Sequence, residues 1–518
     1  MDDHAQNHEN TATDPTHRAD TAPNPQARQT TATTSGTASI STAPPTAAAP
    51  ILVILVLGFS SLCASLMQSL VIPIQPELPR LLDTTAANAS WVVTATLLAG
   101  GVAMPVSGRL ADIYGRKPIL VASAIILAVG SLICALFSTI GPILIGRALQ
   151  GVAMGYIPVA ISFVREIAPP HLRNSAVAGI SATLGVGGAL GLPISAWIAQ
   201  DFDWHMLFWL STVLAVLMTV FSAFALPHVA SVDRAGFDAL GAIGLAIGIV
   251  GILAGVSKGN EWGWTAPSTL VMIVGGVIVL IGWGFFEVRH PHPLVDLRTT
   301  VRRPILLTNI AALLIGFGMM AQSIVVPQLL QMPSEVGYGL GQTILQAGLW
   351  MAPGGLMMLV FTPISSRLLT ALGGRATLAL GAFVISCGYV FAVFLDGEPW
   401  QLMVATCIAS AGVGIGYAAM PTLILENSPA SEAGAGVGVN SLMRSMGTTV
   451  AGAVMAIVLT SQTFDAGGIR IPAEEAFRSC FIIGAVAALA GAVIVLFIRR
   501  NHSTAEVVET SEKVETAV

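Results

Sequence analysis

The chain has 518 residues, of which 54% are hydrophobic and only 10% charged, with a mean hydropathy of +0.78. A soluble protein of this size has no interior large enough to hide so much apolar sequence, so the composition excludes a soluble globular class and points to a membrane protein. The net charge of −5 says less than where the charges stand.

Residues 1–49 are dominated by Thr, Ala, Pro, Asn, Gln and Asp, and they predict a disordered tail. They contain no basic stretch followed by a short apolar core and cleavage site, so a removed signal peptide is not expected. Apolar runs of bilayer-crossing length then recur to Ile498, and their lack of strict alternation favours helices over a β-barrel. Helices are predicted near 51–73, 89–107, 119–138, 141–163, 175–199, 206–227 and 237–256. A second set follows near 267–287, 306–331, 343–365, 375–395, 399–424, 435–461 and 478–498, fourteen in all. The polar stretch 501–518 predicts a second disordered tail. The cysteines, Cys63, Cys134, Cys387, Cys407 and Cys480, stand singly in apolar sequence, as small buried hydrophobes do.

Basic residues in short loops set orientation. With the N-terminus inside, the inner connections hold Arg109, Arg116, Lys117, Arg165, Arg173, Arg234, Arg289, Arg298, Arg302, Arg303, Arg367 and Arg375. The outer ones hold only Arg80, Lys258, Arg470 and Arg478. Both termini are therefore expected in the cytoplasm. Trp91, Trp197, Trp204, Trp262, Trp264 and Trp400 fall at outer ends, where interfacial aromatics anchor.

Two echoes indicate internal repetition. PVSGRLADIYGRK from Pro105 is matched in spacing by PISSRLLTALGGR from Pro363, and GVAMGY from Gly151 by GVGIGY from Gly412. Related halves in one orientation characterise transporters that alternate access about a central site. The expected division is a six-helix bundle over 50–230, a two-helix insertion over 231–300 and a second six-helix bundle over 301–500.

Gly108-Arg109-Leu110-Ala111-Asp112-Ile113-Tyr114-Gly115-Arg116-Lys117 resembles the loop motif between the second and third helices of the major facilitator superfamily. Arg147-Ala148-Leu149-Gln150-Gly151 resembles its fourth-helix arginine motif. The span count, with FDALGAIGL opening an extra helix pair, is similar to the fourteen-helix drug:proton antiporter family. The resemblance implies an all-α membrane fold of two six-helix bundles plus two central helices. It also implies a cytoplasmic latch built from Gly108, Arg109, Asp112, Gly115, Arg116 and Lys117, which closes in the outward-facing state.

Asp112 and Arg116 stand four apart, acid first, a spacing that can pair them. A basic loop that only fixes topology would explain Arg116 and Lys117 but not Asp112 and the two glycines. In the second copy Thr370 replaces Asp112, which predicts an asymmetric latch. Arg147 lies inside a span, where a cation costs at least about 2 kcal/mol unless paired or hydrated. The resemblance implies a part in proton coupling, with Gln150 as hydrogen-bond partner; snorkelling to the outer headgroups is the alternative. Gly187, Gly188, Gly191 and Pro193 in the fifth span are expected to bend and pack that helix. The family's glycine–proline motif is altered there, because Leu192 intervenes and Ser195-Ala196 replace a glycine pair.

No span carries a carboxylate at its middle. Glu166 and Glu426, towards the inner ends of the fourth and twelfth spans, could titrate in proton coupling or be ordinary interfacial residues. Gln68, Met320, Gln322, Trp350, Asn440 and Arg444 are candidates for an adaptable amphiphilic substrate pocket, with interhelical packing as the alternative. No phosphate-binding GxxxxGK[ST] loop and no metal-spaced His or Cys cluster occurs, so an enzyme, a cofactor and a metal are not expected. The predicted activity is secondary transport, with proton-coupled drug efflux ahead of a native metabolite or lipid carrier, and of a non-transporting receptor or scaffold. The partners are a small-molecule substrate, protons and the bilayer of a plasma membrane, not nucleic acid.

Overall fold

The computed structural model describes residues 48–72, 74–229, 236–466 and 469–498. The two expected disordered tails fall almost wholly outside these residues. Among the described residues thirteen helices are long and apolar enough to cross a membrane. One of them, Ile344–Phe394, has 51 residues, and Gly373 breaks it at φ +78°. Since roughly 20 residues cross a bilayer, it has the length of two crossings, which makes fourteen among the described residues.

The first half comprises α1 (Ala48–Ser69), α2 (Ala86–Tyr114), α3 (Arg116–Leu136), α4 (Ile140–Ile167), α5 (Arg173–Asp201) and α6 (His205–Ala225). The inserted pair is α7 (Ala239–Trp262) and α8 (Pro267–Arg289). The second half comprises α9 (Arg303–Gln331), α10 (344–372), α11 (374–394), α12 (Pro399–Asn427), α13 (Ala433–Ser461) and α14 (Glu474–Leu496). Local chemistry sets several ends. Thr85 accepts the Asn88 N–H at the start of α2, and Thr343 and Gln346 form a reciprocal box at the start of α10. Pro267 and Pro399 occupy first-turn positions, where their missing N–H costs nothing.

The halves repeat one packing scheme. In the first, α1 lies on α5, α2 on α4 and α3 on α6; in the second, α9 lies on α13, α10 on α12 and α11 on α14. The halves meet along two seams, α2 against α13 and α5 against α10. The inserted helices pack on one another, and α7 also rests on α2 and α13. Helix α8 turns Val271, Ile278 and Phe285 outward, an apolar surface suited to lipid.

Two features differ from expectation. Helix α7 runs on to Trp262, and Lys258 is buried in it instead of lying in an outer loop. Its ammonium donates to Ser90 Oγ and to Glu261 Oε2 (2.9 Å) and lies 4.7 Å from the Trp91 ring centre, so burial leaves the charge partnered. The connection from α13 to α14 also contains a hairpin, β1 (Thr463–Ala466) antiparallel to β2 (Ile469–Pro472), with Tyr338 donating to the Pro472 carbonyl. Strands of four residues are too short for alternation to reveal.

Candidate functional site

The sequence GRLADIYGRK places the last turn of α2 and the first of α3 around one residue, Gly115, at φ +93°. This left-handed backbone favours glycine and lets a helix end and another begin with no loop between them. Asp112, on the last turn of α2, is buried, yet its carboxylate is well satisfied. Its two oxygens accept the backbone N–H groups of Gly434 and Ala435, each at 3.0 Å, and Arg116 donates to it at 3.4 Å. Gly434 and Ala435 form the first turn of α13, whose N–H groups lack intrahelical partners. An aspartate of the first half thus caps a helix of the second, where the helix dipole favours negative charge.

Small residues make this reach possible. A Cβ on Gly434 would stand 2.5 Å from the Gly108 carbonyl oxygen, and one on Gly438 2.5 Å from that of Met104. Arg116 also donates to Glu166 Oε2 at 2.7 Å, which ties the end of α4 to the same cluster. Arg109 is buried and lines a cavity of about 560 Å³ with Asp296, Thr299, Asn309, Ser428 and Glu432. Lys117, beside this cluster, is only partly buried.

The second seam is the neutral counterpart of the first. Thr370 accepts from Asn174 Nδ2 at 3.3 Å, and Ser366 and Ser175 share a hydrogen bond of 2.7 Å. Asn174 and Ser175 open α5, so the repeat motif again reaches the start of a helix in the other half, but without charge. Gly373 supplies the same turn as Gly115, with φ +78°.

Arg147 does not snorkel. It is buried in α4, donates from Nε to the Val92 carbonyl of α2 (3.1 Å) and from its guanidinium to Gln150 Oε1 (2.6 Å). Gln150 in turn donates to Ser131 of α3 (2.9 Å), and Thr96 of α2 donates to the Arg147 carbonyl (3.0 Å). One cation therefore holds three helices in a satisfied network, the condition under which a buried charge is tolerated.

Other expected groups are distributed more widely. Gly187 and Gly191 press α5 against α1, where Ser65 and Ser69 donate to the carbonyls of Leu184 (2.7 Å) and Gly187 (3.1 Å). Gly188 faces open space, which corrects its expected packing role: it lies off the α1 contact stripe. Pro193 sits inside an unbroken α5. Glu426 lies at the end of α12, where it interacts electrostatically with Arg165 of α4. Gln322 is held inside the second half by Tyr389 and Ser410, Asn440 is buried against Asn309, and Trp350 donates to Gln342. Arg444 lies 4.5 Å from the Tyr417 ring centre, a cation–π contact that the sequence did not suggest. Gln68 and Met320 are partly buried. These six candidates line no single cavity described here; packing and hydrogen bonding account for the four with partners named above.

The partners of Asp112, the N–H groups of Gly434 and Ala435 in the second half, were invisible in sequence, since backbone N–H groups have no letter. The Arg165–Glu426 pair was legible in principle. The spacing that maps Tyr156 on Tyr417 maps Arg165 on Glu426, so opposite charges occupy equivalent repeat positions.

The family model of the Major Facilitator Superfamily matches residues 57–452 and, again, 308–517. The chain belongs to the Major Facilitator Superfamily. It is accordingly a multi-pass membrane transporter of small molecules and not an enzyme. Among its relatives, the MFS-type transporter YhcA of Bacillus subtilis is 24% identical over 80% of this chain and 77% of its own length. The lincomycin resistance protein LmrB of Listeria monocytogenes is 26% identical over 82% of this chain and 91% of its own. The crystal structure of the human organic anion transporter MFSD10 superposes with a TM-score of 0.63 at 15% identity, over 88% of this chain and all of that one. This last likeness is one of major-facilitator fold alone.

Proposed function

We propose that this chain exports drug-like or amphiphilic compounds across a plasma membrane in exchange for protons, by alternating access with both termini cytoplasmic. The observation that carries the reading is the Asp112 clasp on α13. A carboxylate holding bare helix N–H groups across two halves is strong enough to favour one state and, being noncovalent, weak enough to release. Gly108, Arg109, Asp112, Gly115, Arg116 and Lys117 act as the latch, and its closure corresponds to the outward-facing state. Arg147 and Gln150 couple the proton by responding to charge in the first half, with Glu166 and Glu426 as titrating groups at the cytoplasmic ends. Support for efflux comes from the name of the lincomycin resistance relative and from the fourteen crossings.

The test uses everted vesicles with an imposed pH gradient and a panel of dyes and antibiotics. Gradient-driven accumulation is expected for the unmodified protein, with a fall of roughly tenfold or more in Arg147→Ala, because removing one member of a buried network costs about 1–3 kcal/mol or more. Asp112→Asn should give a smaller fall. Accumulation that ignores both substitutions would overturn the assigned roles, and accumulation that ignores the gradient would overturn proton exchange.

A further inference from the structure

The inserted pair carries a polar cluster that the latch does not use. Asp238, at the start of α7, accepts the Gly241 N–H at 2.8 Å through Oδ1. Glu287, in the last turn of α8, accepts the Val295 N–H at 2.8 Å through Oε1. Asp238 is 5% exposed and Glu287 1% exposed. The second oxygen of each, Asp238 Oδ2 and Glu287 Oε2, is buried with no hydrogen-bond partner among the described residues.

These two oxygens converge. Both touch the point above Gly241 where a Cβ would stand, Glu287 Oε2 at 2.8 Å from it, so only a glycine leaves room for them. Two full negative charges facing one point, shielded from water and each with an oxygen lacking a donor, repel strongly, whereas a proton on one of them gives the pair a donor and removes the repulsion.

Among the described residues no arginine or lysine pairs with either carboxylate. On α8, Arg289 donates to the Phe285 carbonyl and lies over the Phe285 ring. On the connector, Arg298 donates to the Val288 carbonyl, and Asp296 caps its own short helix. Glu432, ahead of α13, interacts with Thr299, Arg109 and Arg302. Among the described residues His290 is the titratable neighbour that faces the pair, with Nδ1 3.7 Å from Asp238 Oδ2. That nitrogen also accepts the His292 N–H at 3.3 Å, a role it keeps only while it carries no proton itself. Being 29% exposed in its side chain, His290 stands between the pair and water.

We propose that Asp238 and Glu287 form a one-proton carboxyl–carboxylate site in the inserted pair, with His290 as its route to solvent. The site is independent of what the protein carries and of whether transport is proton-coupled. Its position gives it leverage, because Glu287 anchors Val295, and the next residues line the cavity beside Arg109 and Glu432 at the latch.

The test is infrared spectroscopy of the full-length protein in lipid nanodiscs, read at the carbonyl stretch of a protonated carboxyl. Difference spectra of wild type minus Glu287→Gln, and wild type minus Asp238→Asn, should each show one buried carboxyl lost near neutral pH. Asn retains the helix cap, so the second variant keeps the test open if the first folds poorly. A thermal melt gives a second readout. The folded state holds a proton that the unfolded chain releases, so wild-type stability should fall as pH rises above the ordinary carboxylate range of about 4, and that fall should shrink by at least about half in either variant. A carboxyl band unchanged in both variants would overturn the proposal. So would a wild-type protein without the band whose melting point rises with added sodium, the signature of a bridging cation.

Discussion

At Asp112 one side chain does three things: it caps α13, pairs with Arg116, and remains buried without an unmet hydrogen bond. Asparagine keeps the shape but loses the charge and presents one good acceptor oxygen instead of two. The expected loss is about 1 kcal/mol, a carboxylate's typical stabilisation at a helix N-terminus, and a population shift of roughly fivefold away from the clasped state. Spin-label distances across α2 and α13 in Asp112→Asn measure this, and an unchanged distance distribution would contradict it. Arg147 invites a different comparison. Lysine keeps the charge but cannot span Val92 and Gln150 as a planar fork does. Arg147→Lys is expected to lower the melting temperature measurably and to leave Gln150 under-bonded, whereas an unaltered melt would mean that charge alone matters.

At the scale of elements, the approach of α2 to α13 depends on side chains that are not there. Adding a methyl at Gly108 brings it against the Gly434 carbonyl, backbone that cannot swing aside. Gly108→Ala should therefore weaken the clasp with Asp112 still present. Disulfide trapping between cysteines placed on α2 and α13 should fall several-fold, and equal trapping would show that the helices slide to accommodate the methyl. The number and sequence of crossings were legible because roughly 20 apolar residues have few other fates. Arg147–Gln150 was legible because three residues apart share a helix face. The partner of Asp112 was not, since its acceptors' donors are main-chain groups 322 and 323 residues away. Lys258 misled for a related reason: a lysine after an apolar run reads as a loop until Ser90, Glu261 and Trp91 are seen around it.

Across the whole molecule the two halves are built alike and fastened unequally. The α2–α13 seam has a charged cap, while the α5–α10 seam has Thr370 with Asn174 and Ser366 with Ser175, all neutral. Thr370→Asp should equalise them by placing a carboxylate at the start of α5, beside Arg173. The clasped state is expected to gain about 1 kcal/mol, roughly a fivefold rise in its population. In the transport assay this variant should be slower at substrate saturation, because release becomes harder. Faster turnover would imply that re-clasping, not release, limits the cycle.

Gly115 joins α2 to α3 through a single residue, and Gly373 joins α10 to α11 in the same way. A joint of one residue has no slack. When Asp112 leaves α13, α3 cannot wait behind, because Arg116 begins it and grips Glu166 on α4. Displacement at the seam is therefore passed to α3 and α4 within the length of one turn, and α4 is the helix that carries Arg147. The shortest connections in the chain are in this sense its stiffest levers.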